Sequence, residues 1–144
     1  MISEFRIKIQ YPSSIIIDVK ETAIIAYYIH ENKKIYVGEN GKKIYLNNDI
    51  KPNVPLIIGR FNIDNFLELK KKLSNNGFNF DDFVKFYHFK SERWDLVYKD
   101  KITIKLPIDN LENSIIILKE LIENSNIQDV NIIDLRTKKN VIIS

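Results

Sequence analysis

The chain has no cysteine, which excludes disulfides and thiolate metal sites but leaves the compartment open. Histidine is nearly absent too. His30 and His88 are the only two, with no H-x-x-x-H spacing to join them. A metal site needs three or four ligands of suitable type, so both read as ordinary strand-end residues, and no metal or cofactor is expected. Four glycines, all at predicted turns, leave no loop that could cradle a phosphate. Ser13-Ser14 has no G-x-S-x-G context. The carboxylates of Asp81-Asp82 diverge because adjacent residues point apart, so that pair reads as a turn or cap. With no catalytic constellation, the chain is expected not to be an enzyme.

Long apolar runs are missing as well. The longest, Ala23 to Ile29, is far short of the ~20 residues of a membrane helix. Glu4, Arg6, Lys8 and Gln10 interrupt the first residues in the manner of a strand, not a signal peptide. Taken alone the chain is expected to be soluble. There is no internal repeat and no low-complexity linker.

Charge of one sign is also scarce. Twenty-two basic and 19 acidic residues give a net charge of +3 and a pI near 8.9. A nucleic-acid binder concentrates its excess on one face. Here the only dense cluster is Lys70-Lys71-Lys72, which reads as the solvated side of a helix, so no nucleic acid is expected as partner. The competing reading is a small basic domain for single-stranded nucleic acid. It would use the aromatic-rich strand Phe83 to Phe89 as a stacking platform and requires Phe83, Phe86 and Phe89 to be exposed.

Against these absences stand 44% hydrophobic and 11% aromatic residues, the composition of a globular chain. Its 144 residues suit one domain, or a domain plus a fragment of another, and can bury about 68–70% of the unfolded surface. Phe5, Ile7 and Ile9 alternate with polar residues as in a half-buried strand. Tyr11-Pro12-Ser13-Ser14 breaks it, and Ile15 to Val19 returns. Further strands are predicted at Ala23 to Ile29, Lys34 to Val37, Lys43 to Leu46 and Leu56 to Ile58. The Asn40-Gly41 dipeptide marks a hairpin turn, and Asn47 to Pro55 a polar loop.

Two helices are predicted. Asp64 caps the first, over Phe66, Leu67, Leu69 and Leu73, which stops before Gly77. Asp109 caps the second in a capping box with Glu112, and Leu111, Ile115, Leu118 and Ile122 fall on one face. Strands Val84 to Lys90, Trp94 to Lys99 and Lys101 to Leu106 lie between them, with Trp94, Leu96 and Tyr98 toward the core. Val130 to Arg136 and Val141 to Ile143 close the chain. That last strand is apolar and β-branched, and its nearest charges, Lys138 and Lys139, sit in the turn before it. It either closes the sheet internally or stays an open edge that accepts a partner strand. In the second case Arg136 could fork onto a partner carboxylate.

The segments Arg93-Trp94-Asp95-Leu96, Lys105-Leu106-Pro107, an amphipathic helix and Ile133-Asp134-Leu135-Arg136, in that order, resemble the C-terminal β domain of the bacterial cell division protein family FtsQ/DivIB. The alphaproteobacterial members are the most similar. Tyr11-Pro12-Ser13-Ser14-Ile15 and Val19-Lys20-Glu21 are similar to the end of the POTRA domain that precedes it. The resemblance implies an α+β fold, a mostly antiparallel sheet with two helices packed on it, preceded by a partial POTRA hairpin. Residues 1–20 would be the POTRA remnant and residues 21–144 the β domain, in a truncated or fragmentary member whose Met1 need not be the native start.

It also implies a non-enzymatic scaffold of the division machinery, anchored in the inner membrane by a single span, with its folded part in the periplasm at the septum. Its partners would be FtsB and FtsL, recruited by strand addition to the last strand. The implied contact residues are Arg136, Thr137, Lys138, Lys139, Asn140, Val141, Ile142 and Ile143. Some members carry an aromatic directly after the Arg and another beyond the last strand; here Thr137 follows Arg136 and no aromatic follows Ile143. Aromatic and Arg residues dominate many interfaces, so a weaker contact of the same mode is expected.

Overall fold

The computed structural model describes residues 2–10, 14–21, 23–46, 52–137 and 140–144, with backbone alone for residues 2–21. The chain forms two compact units, Met1–Val54 and Pro55–Ser144.

The first unit is all β. Strands β1 (Ile2–Gln10) and β2 (Ser14–Glu21) form an antiparallel hairpin whose register runs from Gln10↔Ser14 to Ile2↔Glu21. The break expected at Tyr11 to Ser14 falls on residues 11–13, outside the described residues, except for Ser14, which opens β2. A meander follows, of β3 (Ile24–His30), β4 (Lys33–Gly38) and β5 (Lys43–Ile44). Glu31 and Asn32 join β3 to β4 at φ 50° and 64°. Two left-handed residues match the twist of the flanking strands, as a tight hairpin demands. The expected Asn-Gly turn is present: Gly41 has φ 81°, and Asn40 Oδ1 accepts from Lys42 N at 3.1 Å. One extra residue on β3 between Ile24 and Ala26 shifts the register, and Ile25 and Ala26 are both buried there. The predicted loop at Asn47 to Pro55 falls partly on residues 47–51, outside the described residues.

The second unit is a mixed sheet under two helices. Its elements are β6 (Leu56–Ile58), α1 (Ile63–Asn75), β7 (Phe83–His88), β8 (Trp94–Tyr98), β9 (Ile102–Lys105), α2 (Leu111–Asn124), β10 (Ile132–Asp134) and β11 (Ile142–Ile143). The strand order is β11-β10-β9-β8-β7-β6. β7, β8, β9 and β10, β11 pair antiparallel with their chain neighbours where they meet. β6 with β7 and β9 with β10 are parallel. Each parallel pair needs a long crossover, and α1 and α2 supply the two.

Alternation then decides the faces. Leu96, Ile104 and Leu106 are fully buried, as are Phe66 and Leu73 of α1 and Ile115 and Leu118 of α2. Trp94, Leu96 and Tyr98 occupy the core face, as the period-2 pattern predicts. Phe66 is the hub, 5.2 Å from Phe86 edge to face and 6.0 Å from Trp94. Such aromatic pairs add roughly 0.5–1.5 kcal/mol beyond area burial. The helix ends are tied together by Asn76 Nδ2 donating to Glu112 at 3.0 Å and Lys119 Nζ donating to Gly77 O at 3.0 Å. The fold is therefore α+β, mostly antiparallel, with two helices on the sheet.

The capping residues differ from the sequence reading. Asn62, not Asp64, caps α1, accepting from Asp64 N at 2.8 Å; Asp64 sits in the first turn. Asn110, not Asp109, precedes α2, and Glu112 binds Asn76 instead of closing a capping box. Both asparagines lie directly before their helices, where a short side chain reaches the first N–H groups or accepts a left-handed φ. Asp81 and Asp82 form a single 3-10 turn capped by Asn79, consistent with a turn. Among the described residues, no helix is long and apolar enough to cross a membrane.

Candidate functional site

β11 is the outermost strand of the second unit's sheet and pairs with β10 on one side. Ser144 N donates to Ile132 O at 3.0 Å and Ile132 N to Ser144 O at 2.9 Å. Bonding direction alternates along an antiparallel strand, so the N–H and C=O of Ile143 point away from β10, toward the open side. No described strand pairs there. The side chains are also unprotected: Val141 is 37%, Ile142 54% and Ile143 45% exposed. Natural edges are blunted by charge, proline or a bulge, and β11 itself carries none of these. Thr137 and Asn140 are exposed; Lys138 and Lys139 lie outside the described residues.

Arg136 has a partner within the chain. Asp134 lies two residues earlier, the spacing that puts two side chains on one face of an extended segment. Its Oδ1 accepts from Arg136 Nε at 2.9 Å and from the Arg136 backbone N at 3.0 Å, and its Oδ2 accepts from Nη2 at 2.6 Å. This bidentate fork leaves Nη1 without a hydrogen bond among the described residues, on a side chain that is 45% exposed. The Arg136 hydrogen bonds pull the Asp134 carboxyl down to about 2 against the opposing effect of burial, and Lys105 adds to the pull. Arg136 is correspondingly raised, chiefly by Asp134.

Asp134 is one rung of a charged row across the sheet. It lies opposite Lys105 on β9, which lies opposite Asp95 on β8. Asp95 in turn accepts from the Arg93 guanidinium, which stands 4.5 Å from the Phe89 ring centroid. The signs alternate from Arg93 to Arg136, the favourable arrangement for cross-strand neighbours. Asp134 and Asp95 are both buried under their arginines. Sequence reasoning missed this row. Its signal was available in the two-residue spacing of Arg93 with Asp95 and of Asp134 with Arg136, but strand register was needed to bring them into line with Lys105.

The other candidates are dispersed. His88 is buried, with Nδ1 2.5 Å from Arg60 O and Nε2 3.3 Å from Glu92, so it pins the loop after β6. No cluster of three potential metal ligands exists among the described residues. A cavity of about 300 Å³ adjoins Arg136, Asn140 and Val141 at the start of α2, and Asp81, Asp82 and His88 do not line it. Phe83 and Phe86 are buried at 1% and 0%, leaving Phe89 alone partly exposed. The stacking platform required for single-stranded nucleic acid is therefore core, and that reading fails.

No curated protein sequence matches the chain. Among solved structures it is similar to the major extracytoplasmic domain of the trans isomer of the cell division protein DivIB from Geobacillus stearothermophilus, at 14% identity and a TM-score of 0.45, over 74% of this chain and 99% of that one. The family model for cell division protein FtsQ/DivIB, C-terminal, matches residues 26–136, which contain β4 to β10, both helices and Arg136. The chain belongs to the FtsQ/DivIB family of cell division proteins and carries its C-terminal domain.

Proposed function

We propose that this chain is a non-enzymatic scaffold of the bacterial divisome that recruits the FtsB–FtsL pair by strand addition to β11. Family membership supports the setting. The observation that carries the mode is the open side of β11, where the Ile143 backbone groups point outward between exposed Val141, Ile142 and Ile143. Main-chain hydrogen bonds along such an edge supply affinity, and side chains beside it supply specificity. Arg136 would meet a partner carboxylate through its free Nη1, while Asp134 holds the guanidinium in place. Thr137, Lys138, Lys139 and Asn140 complete the contact segment.

The same reading assigns residues 1–20 to the end of a POTRA domain and residues 21–144 to the β domain. It places the domain in the periplasm, as part of an inner-membrane, single-pass protein at the division septum. An FtsB C-terminal peptide tests the partner assignment. Arg136→Glu, or removal of Val141 to Ser144, should weaken binding about tenfold or more, because truncating one partner of a charge-paired contact raises the off-rate. Unchanged affinity in both variants would contradict the assigned site. A contact at this exposed position should also weaken as salt is raised.

A further inference from the structure

An asparagine followed by glycine can lose its own side-chain ammonia, because glycine has no Cβ to hinder attack by its peptide nitrogen. The chain holds two such pairs, Asn40-Gly41 and Asn76-Gly77. Their backbones are alike. Gly41 N donates to Gly38 O at 2.9 Å and Gly77 N to Ser74 O at 3.1 Å, and the two glycines have φ 81° and 84°. Their side chains differ. Asn76 Nδ2 donates to Lys72 O at 2.7 Å and to Glu112 Oε1 at 3.0 Å. The first bond turns the amide back along α1, away from the Gly77 nitrogen, and the second ties it to the start of α2.

Asn40 is arranged the other way. It is exposed in the turn between β4 and β5, and its Oδ1 accepts from Lys42 N at 3.1 Å. A bond to the residue two positions ahead folds the side chain forward over the Gly41 peptide, which brings Cγ toward the Gly41 nitrogen. The same bond polarises the amide carbonyl, and its donor meets the oxygen on which negative charge grows during attack. Nδ2, the leaving nitrogen, has no hydrogen bond among the described residues.

We propose that Asn40 is a site of self-modification, a one-way change that releases β5. The Gly41 nitrogen attacks Cγ of Asn40, the bond from Cγ to Nδ2 breaks, and the Gly41 proton passes through solvent to the departing ammonia. The succinimide so formed takes up one water and opens at either carbonyl, to aspartate or to isoaspartate. The ring stage removes the N–H that bonds Gly38 O, and the isoaspartyl product adds a backbone carbon to the turn. That turn sets the pairs Tyr36↔Ile44 and Val37↔Lys43, and a strand of two residues has little else to hold it. β5 is the outermost strand of its meander. Its release uncovers Ile44, 6% exposed in the intact turn, and opens an edge on β4.

The test is incubation of the whole chain at mildly alkaline pH in water enriched in heavy oxygen. Peptide mapping with electron-transfer fragmentation then separates aspartate from isoaspartate. Asn40 should gain one heavy oxygen and convert about tenfold faster than Asn76, the worth of one hydrogen bond to a charged group. In denaturant, where both amides are free, the two rates should converge. Glu112→Ala should speed conversion at Asn76. Hydrogen exchange at Lys43 and Ile44 should quicken in the converted chain and stay constant in Asn40→Gln, whose longer side chain closes a ring far more slowly. Equal rates at the two asparagines of the folded chain, a faster rate at Asn76, or an unconverted Asn40 would overturn the site. Unchanged exchange at Lys43 and Ile44 after conversion would overturn the release of β5.

Discussion

Asp134 ties Arg136 to the sheet with two side-chain bonds and one backbone bond, and that partnership has a pH signature. The carboxyl falls from 3.8 to about 2 on folding. A depressed carboxyl adds stability that is complete above its unfolded pKa and is lost as pH falls through the folded one. The contribution should hold above pH 3.8 and fade toward pH 2, damped by solvent around the exposed guanidinium. Denaturant midpoints measured down that range should fall less steeply for Asp134→Asn than for the parent chain. Equal slopes would show that the fork does not differ between folded and unfolded states. Gly59 carries a second residue-scale prediction. It sits at φ 101° directly after β6, and a Cβ there would collide with the His88 carbonyl. Gly59→Ala should destabilise the chain by more than about 1 kcal/mol, read as a drop in the same midpoint.

The helices show how local chemistry and sequence pattern part company. The apolar spacing of Phe66, Leu69 and Leu73, and of Ile115 and Leu118, was legible because those side chains are the buried faces of α1 and α2. The caps were not. Asp64 and Asp109 satisfy the compositional rule, yet Asn62 and Asn110 occupy the positions, because entry from β6 and β9 sets where each helix starts. Asn62→Ala should cost about 1 kcal/mol. Asp109→Ala should change stability by less than about 0.5 kcal/mol, since Asp109 caps nothing. Chemical denaturation of both variants separates these cases, and equal losses would restore the capping box. Strand pairing had the same limit. Alternation in Trp94 to Tyr98 and Ile102 to Leu106 identified β8 and β9, but the parallel partnership of β9 with β10 arises from the crossover, which no local pattern encodes.

At the scale of the molecule, the sheet of the second unit runs from β6 to an edge at β11, and the proposed function turns on that edge. The sequence made the edge visible as an apolar, β-branched segment preceded by Arg136. It left two readings open because burial inside a sheet and exposure at its rim use the same residues. It also could not show that Asp134 already engages Arg136, which makes the guanidinium a fixed, half-free donor instead of a roaming charge. Backbone geometry now separates the amides of β11. Ser144 bonds inward to Ile132, Ile142 lies opposite Asp134, and Ile143 points outward by alternation. Hydrogen exchange of the chain with and without an FtsB C-terminal peptide therefore tests strand addition directly. The account predicts that the peptide protects the Ile143 amide and leaves the Ser144 amide, already bonded, little changed. A peptide that binds without slowing exchange at Ile143 would contradict it.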